Sequence, residues 1–129
     1  MTTRITIVGA GIIGLATARA IKRRLPEAAV TVVDKASTVA AHQSGHNSGV
    51  LHSGIYYTPG SMRARTCREG LQLMEAYCDE NQIPWKRCGK VIVATREDEL
   101  KRLDALRSRG LENGVDCTKI DRQALGDIE

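Results

Sequence analysis

Residues 4–8 (Arg-Ile-Thr-Ile-Val) form a β-branched run that stops at Gly9, which predicts a short buried strand. Helical spacing follows at once. Over residues 11–25, Gly14, Ala18, Ile21 and Leu25 fall at i, i+4, i+7 and i+11 on one face, leaving Arg19, Lys22 and Arg23 for solvent. Pro26 closes that helix, and Lys22, Arg23 and Arg24 suit the negative end of its dipole. A second β-branched run at residues 30–33 ends at Asp34. Strand, glycine turn, helix and strand within about 30 residues predict one βαβ unit with parallel strands.

The pattern then changes. Residues 35–60 show neither period over 26 positions, and structureless stretches beyond about 12–15 residues are uncommon unless they do something. This stretch has no acidic residue and holds all three histidines, His42, His46 and His52. A helix is predicted over residues 62–81, with Cys67, Leu71, Met74 and Cys78 on its core face. Residues 88–95 read as a further strand. Thr95 is the predicted cap of a helix with Glu97, Asp98 and Glu99 in its first turn and Leu100, Leu103 and Leu106 as its stripe. An extended piece over residues 115–120 and a helix from Asp121 follow. The fold class is thus α/β, opening on one Rossmann-like βαβ unit. These few strands leave the edges of the first unit unpaired and apolar, so the chain is expected to be truncated at Glu129.

Composition narrows the partners. The 129 residues carry a net charge of +4, but only four aromatics, Tyr56, Tyr57, Tyr77 and Trp85, so platforms for stacking bases are scarce and no nucleic acid is expected. Cys67, Cys78, Cys88 and Cys117 match neither a redox pair nor a zinc spacing and read as reduced, cytosolic and mostly core. The apolar stretch after Arg4 imitates a signal peptide, but its glycines and the basic cluster that follows argue against one. No run reaches the roughly 18 apolar residues of a membrane span. A cytoplasmic chain is expected.

The chemistry concentrates in two places. Gly9-x-Gly11-x-x-Gly14 lies at the predicted strand-to-helix turn, and Asp34 ends the next strand 20 residues after Gly14. Gly9 permits the tight turn, Gly11 lets the backbone approach a pyrophosphate, Gly14 allows close helix packing, and Asp34 would hold ribose hydroxyls. That constellation marks a dinucleotide site without deciding between nicotinamide and flavin. The second place is Gly45-His46-Asn47-Ser48-Gly49-Val50-Leu51-His52-Ser53-Gly54-Ile55-Tyr56-Tyr57, with small residues for close backbone approach, Asn and Ser for neutral hydrogen bonds, and His and Tyr for proton transfer or carboxylate contact. The three histidines have no Cys, Asp or Glu beside them to complete a zinc set, so no metal is expected. No serine sits in a Gly-x-Ser-x-Gly elbow.

The run from His42 to Tyr57, continued by Thr58-Pro59-Gly60-Ser61, resembles the L-2-hydroxyglutarate oxidase/dehydrogenase family of FAD-dependent enzymes, in the D-amino-acid oxidase-like superfamily. Cys88-Gly89-Lys90-Val91-Ile92-Val93-Ala94 and Arg109-Gly110-Leu111-Glu112-Asn113-Gly114-Val115 resemble that family's next segments. Related glycerol-3-phosphate dehydrogenases and amino-acid oxidases often have Arg where His46 stands, which favours the hydroxyglutarate branch.

The resemblance implies FAD as cofactor and a Rossmann-like FAD/NAD(P)-binding unit, with residues 1–82 as the first piece of the FAD-binding domain and residues 83–129 as the incomplete start of a second, α+β substrate domain. It implies FAD contacts at Gly9, Gly11, Gly14, Asp34 and Lys35, with His46, Asn47, Ser48 and Gly49 near the pyrophosphate and flavin ring. His52 and Tyr57 face the substrate side. The implied reaction oxidises L-2-hydroxyglutarate to 2-oxoglutarate, with His52 as proton acceptor, imidazole being the commonest side chain in that role. Other FAD-dependent hydroxy-acid, glycerol-3-phosphate or amino-acid oxidoreductases are the alternatives, as is an inactive fragment or partner-dependent module. The electron acceptor is left open among oxygen, a quinone and a carrier protein, and the resemblance admits peripheral association with the inner membrane.

Overall fold

The computed structural model describes residues 2–128, which divide into two compact units, one ending at Gly49 and one beginning at Val50. The first is the βαβ unit: strand β1 (Arg4–Val8), helix α1 (Ile12–Arg24) and strand β2 (Ala29–Val33). The strands pair in parallel with Arg4 opposite Ala29 and Val8 opposite Val33, which brings Gly9 and Asp34 to the same end of the sheet. Both β-branched runs favour a pleated surface, and their alternate residues Ile5, Ile7, Val30 and Val32 turn inward.

The expectation of a buried strand needs correction, because those inward residues are only half-buried and Val8 is 85% exposed. Within the first unit a single helix contacts this two-stranded sheet. The predicted face of α1 holds at Gly14, Ala18 and Ile21, all half-buried. Leu25 instead follows the helix as its C-cap and is exposed. Lys22 Nζ donates to the carbonyls of Pro26 and Ala28, tying the last turn of α1 to the approach to β2.

The second unit contains α2 (Met62–Glu80), α3 (Glu97–Glu112) and α4 (Arg122–Gly126). Ser61 Oγ caps α2 by accepting from Ala64 N, and Asp121 caps α4 through Ala124 N. Such caps satisfy amides that the helix leaves without partners. Helix α3 starts one residue later than expected, with Arg96 rather than Thr95 as N-cap. The reason is Glu99, whose carboxylate accepts from both Thr95 N–H and Thr95 Oγ1 and so turns the Thr95 hydroxyl away from capping. Leu103 and Leu106 are half-buried while Leu100 is exposed.

Residues 88–95 form no ladder, contrary to the predicted strand. The β-branched stretch Val91-Ile92-Val93 has no neighbouring strand among the described residues, and propensity alone does not satisfy backbone groups. Side chains tether the chain just before it: Trp85 Nε1 donates to Asp79 Oδ1 at 2.8 Å and Arg87 pairs with Glu75 at 2.6 Å, both partners lying on α2. The four cysteines are free, and only Cys78 is buried; Cys88 is exposed, so the expectation of mostly core cysteines does not hold there.

Candidate functional site

The glycine turn is shaped by three constraints. Gly9 adopts φ +109°, a region that side chains disfavour, while its N–H donates to Val33 O at 2.7 Å and locks the turn to the end of β2. Gly14 packs so close to this turn that a Cβ on it would collide with the Gly9 carbonyl. Gly11 begins α1, which has no acidic residue in its first turn, so the positive end of the helix is not neutralised locally.

Asp34 ties the turn to the following loop. One carboxylate oxygen accepts from Ala10 N at 2.6 Å and the other from Ala36 N at 2.8 Å. These two amides, Ala36 foremost, hold the Asp34 carboxyl below its ordinary value of 3.8. Each carboxylate oxygen keeps a second lone pair, so the group can still accept from a sugar hydroxyl.

Residues 40–44 fold back over the same turn. Ala40 N donates to Ala10 O at 2.9 Å, and Ser44 Oγ accepts from Ile12 N, the first helical amide of α1, at 2.9 Å. A Cβ on Gly11 would come within 3.1 Å of that hydroxyl. Gly11, Asp34 and residues 40–44 thus enclose a cleft of about 220 Å³ at the helix N-terminus. Ser44 accepts from Ile12 and retains its own O–H, which can donate to an anionic oxygen in the cleft. Ser44 was not among the candidate contacts of the sequence, which shows several serines in the loop but not which one folds back.

Farther along the loop the expected residues shape the backbone. Both N–H groups of Asn47 are engaged, donating to Gln43 O at 2.9 Å and Ser44 O at 3.0 Å, and its Oδ1 accepts from Gly49 N at 2.7 Å. Asn47 therefore fixes the turn that carries Ser44. His46 Nδ1 lies 3.0 Å from His42 O. A carbonyl only accepts, so Nδ1 is the donor and a neutral His46 offers Nε2 as an acceptor. Lys35 and Ser48 are exposed. Gly9, Gly11, Gly14, Asp34 and the loop through Gly49 are thus gathered in one unit.

His52 and Tyr57 belong to the second unit. The His52 side chain is exposed, and its carbonyl accepts from Cys67 Sγ at 3.1 Å, which anchors the backbone to α2. Tyr57 closes a turn over residues 54–57, with Tyr57 N donating to Gly54 O at 3.1 Å. Lys90 Nζ lies 4.6 Å above the ring of the neighbouring Tyr56.

The family model described as FAD dependent oxidoreductase matches residues 4–129. The chain is 51% identical over 126 residues to the mitochondrial L-2-hydroxyglutarate dehydrogenase of Nematostella vectensis, covering 97% of this chain and 28% of that protein. It is 51% identical over 116 residues to that of Dictyostelium discoideum, covering 90% and 26%. For the human protein of the same name the figures are 49% over 119 residues, 92% and 26%. The chain thus spans little more than a quarter of the length of these relatives.

The names correct the cytoplasmic expectation, since these relatives are mitochondrial proteins. A compartment is addressed by targeting segments, so the packed residues of a folded unit do not reveal it. Among the described residues, no helix is long and apolar enough to cross a membrane.

Proposed function

The chain belongs to the FAD-dependent oxidoreductase family, and on that premise we propose that the protein oxidises L-2-hydroxyglutarate to 2-oxoglutarate. The observation that carries this reading is the cradle at the start of α1, where Gly11 lacks a side chain and Asp34 and Ser44 converge on the turn. A side-chain-free approach to a helix N-terminus suits a pyrophosphate, and a carboxylate at the end of β2 suits a ribose, so the residues fit the ADP half of FAD. In this proposal Gly9, Gly11, Gly14, Asp34 and Lys35 contact that half, and His46, Asn47, Ser48 and Gly49 border the pyrophosphate and flavin ring. Residues 1–82 are assigned by role to FAD binding and residues 83–129 to the start of a substrate domain.

FAD, when bound, supplies the acceptor for the hydride leaving C2 of the hydroxy acid. The protein's part is to orient C2, hold the substrate carboxylates and remove the hydroxyl proton. Tyr57, through its phenolic hydroxyl, is assigned a carboxylate, and the imidazole of His52 the proton. The C2–H bond and the O–H bond break as the C2=O bond forms. The substrate loses two electrons and two protons in total. Peripheral membrane contact and a final acceptor such as oxygen, a quinone or a carrier protein are compatible with this reaction.

The test is anaerobic addition of L-2-hydroxyglutarate to the full-length flavoprotein, with loss of the oxidised flavin absorbance as the expected result. No bleaching by this substrate would overturn the reading. His52→Gln is expected to lower turnover by about 100-fold, within the usual range for a general base. Unchanged turnover in this variant would remove His52 from the role.

A further inference from the structure

The segment Arg109-Gly110-Leu111-Glu112-Asn113 has no part in the reaction described above, yet it closes on the turn that ends at Tyr57. The Asn113 amide donates to Gly54 O at 3.1 Å and to Tyr57 O at 2.8 Å, the first and last carbonyls of that turn. Both partners only accept, which fixes the amide with its NH2 toward the turn. Gly54 O also receives Tyr57 N, so its two lone pairs are both engaged. Asn113 is not needed to finish α3 with its side chain: its backbone N–H already donates to Arg109 O, and Val115 N donates to Gly110 O.

Two further contacts seat the same turn. Arg109 reaches Tyr56 O at 3.4 Å. Gly110 is buried, and a Cβ there would lie 3.0 Å from Ile55 Cγ1 and 2.6 Å from Cys117 Sγ, so the helix can approach Ile55 this closely only without a side chain. One end of α3 therefore grips a four-residue turn more than 50 residues earlier in the chain at each of its four positions.

We propose that Asn113 is a positioning residue for Tyr57, its amide bridging the carbonyls of Gly54 and Tyr57 so that the phenol is presented to the substrate carboxylate. This rests on the reading of the protein as a hydroxy-acid oxidoreductase. Asn113 acts through the backbone of the turn and does not itself touch the substrate. Asn113→Asp keeps size and shape but replaces the two donors with an oxygen that repels both carbonyls.

The experiment compares full-length wild type, Asn113→Asp, Tyr57→Phe and the double variant, with L-2-hydroxyglutarate as substrate. Asn113→Ala stands in if the added charge prevents folding. The expected result is a KM about tenfold higher for Asn113→Asp, with kcat within about twofold, and flavin content and absorbance spectrum unchanged, as for lost substrate positioning. A merely structural defect would lower flavin content or kcat as well. In the double variant the KM should rise no further than in the more impaired single one, because both changes remove the same contact. Multiplying KM penalties, or an unchanged KM in Asn113→Asp, would overturn the proposal while leaving the reaction intact. A wild type that does not oxidise L-2-hydroxyglutarate would overturn the reaction and this role with it.

Discussion

Gly14→Ala is expected to leave the protein almost without flavin. The added methyl would fall on the Gly9 carbonyl, and that carbonyl has little freedom to retreat, because Gly9 is held at φ +109° by the bond from its N–H to Val33 O. Either α1 moves away from the turn or the turn leaves the end of β2. Both movements displace the amides at the start of α1 from where a pyrophosphate would meet them. Overpacking of this kind costs roughly 1–3 kcal/mol in stability, but a cradle displaced by an ångström loses more in binding. The ratio of flavin to protein absorbance after purification should fall to about a tenth of wild type or less. A Gly14→Ala protein with full flavin content would show that helix and turn can separate without harm to the site, and the proposed role of Gly14 would be wrong.

The second large effect is expected at Asp34. Asp34→Ala removes the acceptors of Ala10 N and Ala36 N together with the proposed ribose contact, so the turn, the loop and the cofactor lose one shared partner. FAD affinity should fall by about tenfold or more, read by titrating apoprotein with FAD and following flavin fluorescence. The same residue predicts a pH dependence. Its folded-state pKa lies below the ordinary 3.8, so its contribution to stability is fully present above that value and is lost as pH falls through the lower, folded-state one. The melting-temperature difference between wild type and Asp34→Ala should therefore be steady from about pH 5 to pH 8 and shrink in more acidic solution. A difference independent of pH down to strong acid would mean that the ionised carboxylate is not what holds Ala10 and Ala36.

The first unit was legible because its signals are local. β-branched runs, a glycine turn and a 3.6-residue period place β1, α1 and β2 within a residue or two, and the parallel register then sets Gly9 beside Asp34 without further information. The strand expected at residues 88–95 shows the limit: Val91-Ile92-Val93 has the composition of a strand but needs a neighbour to bond with, and composition does not supply one. Thr95 failed as a cap for a related reason, since the competing acceptor Glu99 satisfies its hydroxyl and its amide together. Ser44 and Asn113 escaped because their roles come from chain reversal. Ser44 lies 32 residues from Ile12, and Asn113 lies 56 and 59 residues from its two partners, distances over which no periodic pattern operates.

Those separations also bear on how the chain acquires its structure during synthesis. Pairing β1 with β2 brings together residues 25 apart, as with Arg4 and Ala29, whereas the Asn113 bridge to Gly54 spans 59. Chain-closure entropy rises with the logarithm of the span, so the longer closure costs about 0.8 kcal/mol more before any contact rewards it. As the chain leaves the ribosome, every residue of the βαβ turn and of the loop ending at Gly49 is available long before Asn113 emerges. The proposed nucleotide cradle can thus take shape while the turn bearing Tyr57 still lacks its clamp, and the two halves of the proposed chemistry are built in that order.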